Sequence, residues 1–115
     1  MATAKPIDLG FSTADAEGPS LTFSRGEVKL TFRDWREANV RVVFHDVWRF
    51  DWLDEVPEGD RIPGERWDGT SIVHDSDWIP STATNACKHY RLNFNDSGAR
   101  LDIACESFEV ATDTD

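Results

Sequence analysis

The chain has 115 residues, 39% hydrophobic and 30% charged, with 22 acidic against 12 basic side chains and a formal net charge of −10. That length suits one domain burying roughly two thirds of the surface its unfolded chain exposes, and the composition lies outside the disordered range. No run of about 18 apolar residues occurs, which excludes a transmembrane helix, and the sign of the charge disfavours nucleic acid and anionic lipid.

The charge is unevenly placed. Residues 1–42 hold six basic and six acidic side chains, whereas residues 43–115 hold six basic and 16 acidic. A field of that sign steers basic partners inward, although solubility alone would account for it equally well. The start, Met1 to Asp8, shows no apolar stretch of the signal-peptide kind, so the expected location is cytoplasmic. A single β domain is expected over residues 1–115, with frayed ends at 1–6 and 111–115.

Alternation with period two dominates the chain. Leu21 and Phe23, then Val28, Leu30 and Phe32, flank Arg25-Gly26. A two-residue hairpin turn there sets Phe23 opposite Val28 and Leu21 opposite Leu30, all on one face. Asp34 to Glu37 is a polar connection, after which Val40, Val42 and Phe44 alternate, and the same parity runs on to Trp48, Phe50 and Trp52. So long a flat strand calls for a bend or bulge near His45-Asp46. A rival reading takes Val47 to Leu53 as a short helix, because Val47, Phe50 and Leu53 fall three apart; the aromatic residues favour strand.

Residues 54–64 form an acidic, Pro- and Gly-bearing loop, Asp68-Gly69 predicts a hairpin turn between Glu65–Trp67 and Thr70–Val73, and residues 80–86 are a further connection. In the last hairpin, a Ser97-Gly98 turn pairs Phe94 with Leu101, Leu92 with Ile103 and Tyr90 with Cys105, and Phe108 and Val110 continue in the opposite phase after a bulge. This pattern places Cys87 and Cys105 on opposite faces of neighbouring strands, so two free thiols are expected. The sum is an all-β, antiparallel domain of seven to nine short strands with at most one short helix, a sandwich or a partly open barrel.

Few constellations point to chemistry. Asp96-Ser97-Gly98-Ala99 imitates the signature of retroviral-type aspartic proteases, but Asn95 stands where that family has an apolar residue, and turn chemistry explains the tetrapeptide. His45, His74 and His89 would have to converge to hold a metal, and none of the compact ligand spacings occurs. Cys87 and His89, two apart, lack an orienting third group. No catalytic residue, metal ligand or cofactor is assigned from the sequence.

The most suggestive stretch runs from aromatic residues straight into acid: Trp48 and Trp52 among Asp51, Asp54, Glu55, Glu58 and Asp60, with Asp46 just before them and Arg49 the nearby opposing charge. An aromatic anchor rimmed by carboxylates suits a basic protein partner. The plainer account puts the aromatic row in the core and the acids in a solvated loop. Trp35, Trp67 and Trp78, beside loops, are the tryptophans expected to be partly exposed.

Ile72 to Ile79 (IVHDSDWI) and His89 to Gly98 (HYRLNFNDSG), together with Val40–Phe44, resemble small, largely uncharacterised bacterial all-β domains, some of them found beside toxin genes. The resemblance implies a bacterial source and carries no catalytic residue. The leading expectation is a non-enzymatic, immunity-like module, monomer or homodimer, that binds a basic protein. The alternatives are a small-ligand or carbohydrate-binding β domain using exposed tryptophans, and a small metal-dependent enzyme using His45, His74 and His89.

Overall fold

In the computed structural model, which describes residues 2–79 and 86–113, nine antiparallel strands form two sheets. They are β1 (Thr3–Pro6), β2 (Glu17–Ser24), β3 (Glu27–Arg33), β4 (Asn39–His45), β5 (Arg49–Leu53), β6 (Thr70–His74), β7 (Lys88–Phe94), β8 (Ala99–Cys105) and β9 (Ser107–Asp113). The five-stranded sheet has the order β1-β6-β7-β8-β5, the four-stranded one β2-β3-β4-β9. Among the described residues there is no helix, and the sheets remain open, so the architecture is a sandwich and not a closed barrel.

The first hairpin has the expected register, Phe23 with Val28 and Leu21 with Leu30. Arg25 and Gly26 both have positive φ, 50° and 80°, the type I′ geometry whose twist matches that of the flanking strands. Asp34 closes the next turn by accepting the Arg36 and Ala38 amides on Oδ1. The inner faces carry the alternating apolar residues. Val28, Leu30, Val42 and Phe44 meet Leu92, Phe94, Leu101 and Ile103 in one core, and Phe32 meets Phe94 edge-on at 5.5 Å.

The expected bend near His45-Asp46 is a crossing between sheets. β4 pairs with β9 in one sheet, and their continuations, β5 and β8, pair in the other. Asp46, Val47 and Trp48 oppose only Cys105 and Glu106 between the pairs His45–Ser107 and Arg49–Ala104, a one-residue bulge with Asp46 at φ 53°. The phase change at Phe108 and Val110 is this same corner. Residues 49–53 are strand, which removes the helical reading.

Two registers differ from expectation. In the last hairpin Phe94 pairs with Ala99, Leu92 with Leu101, Tyr90 with Ile103 and Lys88 with Cys105, because Asn95 to Gly98 all lie in the loop and Gly98 donates its amide to the Phe94 carbonyl. The shift is two residues, so every side chain keeps its predicted face. Asp68-Gly69 does turn the chain, but Glu65–Trp67 is not a strand, since its polar atoms are engaged by β7 from above the sheet. Residues 3–6, within the stretch expected to fray, pair with β6, and β9 reaches Asp113. Of the predicted connection at residues 80–86, all but Ala86 lies outside the described residues.

Gly64 lets the 54–69 loop dock on β1: its φ is 88°, and a Cβ there would overlap the Ala4 carbonyl oxygen, next to the Ala4 amide bond to Pro63. Gly64→Ala should therefore lower the urea midpoint, whereas Gly98→Ala, with open space around it, should carry the backbone strain alone and cost about 1 kcal/mol. Equal losses would place the Gly64 effect in strain and not in docking.

Candidate functional site

The predicted acidic and aromatic segment lies along β5, an edge of the five-stranded sheet, and the loop that follows it. Trp48 stands at the sheet crossing with 47% of its surface exposed. The aromatic row is divided: Trp52 packs on Phe94 at 5.9 Å and donates its indole N–H to Asp54, while Phe50 packs on Phe23 at 5.3 Å. Phe23, on the neighbouring edge β2, is itself 57% exposed, which the sequence reading missed. Asp51, Asp54, Glu55 and Glu58 are exposed. Asp60 has another task, because its carboxylate lies 3.2 Å from Arg100 and its carbonyl accepts a second bond from the same guanidinium.

The three histidines lie apart. His45 is on the outer face of the four-stranded sheet between Glu27 (2.9 Å) and Glu109 (3.2 Å), His74 is exposed at the end of β6, and His89 is buried on the outer face of the five-stranded sheet. The hydrogen bond to Glu109, opposed by partial desolvation and assisted by Glu27, raises the His45 pKa above its ordinary value. Among the described residues no group of three or more His, Cys, Asp or Glu side chains is placed to hold a metal ion. Cys87 and Cys105 are free and buried, and burial pushes the Cys105 thiol up to about 12.

That buried outer face is the feature the sequence reading missed. Opposite the core-facing residues of β7 and β8 stand His89, Arg91 and Asn93 beside Arg100 and Asp102, and all but Arg91 are at most 5% exposed. Two loops roof them. From the 54–69 loop, Glu65, with no exposed side-chain surface, accepts from Arg91 at 2.6 Å and Asn93 at 2.8 Å. From the loop after β6, Trp78 stacks on His89 with 4.5 Å between centroids and 5° between planes, and Arg49 covers its other side at 4.2 Å. Arg91 thus bridges Asp102 on the sheet and Glu65 in the roof.

One linear chain of hydrogen bonds leaves this network. Asp102 Oδ1 is 2.8 Å from His89 Nε2, and His89 Nδ1 is 2.6 Å from Ser76 Oγ. With Nε2–H donating to the carboxylate, Nδ1 accepts the Ser76 hydroxyl proton, and Ser76 Oγ also accepts the Trp78 amide at 3.1 Å. Burial pushes the Asp102 carboxyl up, but hydrogen bonds from His89 and Arg91, with the Arg91 charge, outweigh it and hold the carboxyl below its ordinary value. The signal for this layer was present: His, Arg and Asn alternate on one strand, Arg and Asp on its partner, and both long loops bear carboxylates near them.

No family model matches this chain, and neither a curated protein nor a solved structure matches it.

Two outcomes follow for the network. Glu65→Ala leaves Arg91 half-paired under the roof and should cost about 3–5 kcal/mol in urea unfolding. A carboxyl with a depressed folded pKa contributes stability that is fully present above its unfolded value, near 3.8, and is lost as pH falls through the folded value. The stability difference between wild type and Asp102→Asn should accordingly be constant above about pH 5 and shrink in more acid solution. A difference that grows on acidification would contradict the ionised assignment.

Proposed function

We propose that this domain is a protein-binding module, of the immunity-protein kind, that receives a basic partner on the β5 edge. One observation carries the reading: Asp46, Asp51, Asp54, Glu55 and Glu58 are exposed along β5 and the segments on either side of it, and form no ion pair among the described residues. The buried acids, by contrast, are answered: Glu65 and Asp102 have arginines within 3.3 Å, and Asp34 has one within 4.0 Å.

Uncompensated carboxylates raise the local concentration of a cationic partner and speed encounter, and the desolvation of a central aromatic residue then slows departure. Trp48, with Phe23 on the adjoining edge, supplies that residue. The partner chemistry implied is an Arg- or Lys-rich protein surface with an apolar contact at its centre. An edge strand adds the means to accept an extended segment by backbone pairing.

The experiment is a comparison of two baits in salt-stepped capture from a bacterial lysate, wild type and Asp54→Lys/Glu55→Lys/Trp48→Ala. A basic protein held by wild type at stoichiometric yield, released by salt and absent from the variant, supports the reading. Measured against that protein, the Asp54→Lys/Glu55→Lys pair should slow association by 10-fold or more at low ionic strength and flatten its salt dependence, a change on the order expected for lost steering. Identical capture by both baits would remove β5 from the interface.

A further inference from the structure

We infer that Ser76, His89 and Asp102 form a nucleophile site that accepts acyl groups from small esters, separate from the β5 surface. A serine hydroxyl is a poor nucleophile until a base takes its proton, and the base must be held in one tautomer and one orientation by a third group. All three conditions are met in the hydrogen-bonded chain: 2.6 Å from Ser76 Oγ to His89 Nδ1 and 2.8 Å from His89 Nε2 to Asp102 Oδ1. The imidazole is turned relative to the usual arrangement, with Nδ1 toward the nucleophile. Both ring nitrogens can exchange one proton for another, so the relay is chemically equivalent.

The surroundings favour a site over a simple clamp. His89 cannot rotate, because Trp78 lies flat on it and Arg49 backs Trp78. Asp102, with 6% of its side chain exposed, is kept as an anion by Arg91 and lies 3.3 Å from Arg100. Ser76, by contrast, is only half-buried and opens on a cavity of about 260 Å³ whose lining mixes apolar Ile72, Val73 and Ile79 with polar His74, Asp75 and Cys87. Its small volume and the apolar Ile72, Val73 and Ile79 in its lining fit a short acyl chain.

In the step proposed, Ser76 Oγ attacks the ester carbonyl as its proton passes to His89 Nδ1. The tetrahedral oxyanion collapses, the C–O bond to the leaving group breaks, and that alcohol takes the proton from His89. Water then enters, gives a proton to Nδ1 and attacks the acyl-serine, releasing the carboxylic acid and restoring the hydroxyl. No oxidant or metal is required. Asp102 touches neither substrate nor nucleophile and is a positioning residue.

The test uses the full chain with p-nitrophenyl acetate and, separately, an alkyl fluorophosphonate. The expected results are a burst approaching one p-nitrophenolate per chain, and a single phosphonyl adduct mapped to the peptide carrying Ser76. Ser76→Ala, checked as folded by circular dichroism and melting, should lose the adduct and lower the burst rate by about 100-fold or more. Asp102→Asn should slow acylation at unchanged KM, while a merely loosened roof would raise KM. An unlabelled wild type, an adduct on another residue, or equal rates in wild type and Ser76→Ala would each overturn the proposal.

Discussion

The corner where two strands change sheets together sets the rest of the molecule. Chain direction reverses sheet membership at Asp46 to Trp48 on one strand and at Cys105-Glu106 on its partner. Three backbone bonds hold the joint: Glu106 N–H to the His45 carbonyl, Trp48 N–H to the Ala104 carbonyl, and Val47 N–H to the Gly26 carbonyl of the first hairpin. Because the ribbon stays paired through the bend, Phe44 and Phe108 face the core from one sheet, and Phe50 and Ile103 do so from the other. A two-layer core of this size needs such a link, since neither sheet buries enough apolar surface alone.

The corner also decides what is exposed and what is covered. It thrusts Trp48 outward at the meeting of two edges, and it directs Arg49 to the outer face, where it covers Trp78. The four-stranded sheet leaves its outer face to solvent with exposed Lys29, Arg33 and Arg41, while the five-stranded sheet carries a roof. Beneath that roof charges are paired and hydrogen-bonded, which is the condition under which burying them is tolerable. The exposed acids Asp46, Asp51, Asp54, Glu55 and Glu58 form no ion pair among the described residues.

Much of this was legible in the residues. The Arg25-Gly26 hairpin could be read to the register because turn type and alternation agree, and the bend at His45-Asp46 because a single parity ran too long for one flat strand. The Asn95–Gly98 loop misled by two residues, since alternation is blind to a shift of two. Glu65 illustrates the deeper limit. In sequence it is one more acid near a Gly-Pro loop, and only the fold brings it over Arg91 and Asn93, 26 and 28 residues away. Arg100 and Asp102 likewise read as solvent-facing positions of a hairpin, because period two reports which residues share a face and not whether a loop covers it. The likeness of residues 46–60 to a binding rim was visible, but the separate engagement of Asp60 with Arg100 was not.

The roofed polar layer sets the His89 ring between Asp102 and Ser76, with Nε2 toward the carboxylate and Nδ1 toward the hydroxyl. Nitrogen-15 NMR of the His89 ring at neutral pH tests it most directly. The structure predicts a slowly exchanging proton on Nε2, an unprotonated Nδ1 with the shift of a hydrogen-bond acceptor, and loss of that acceptor signature in Ser76→Ala. A ring whose nitrogens average between tautomers, with its proton exchanging as fast as that of exposed His74, would show that the roof does not close over this face and would contradict the account.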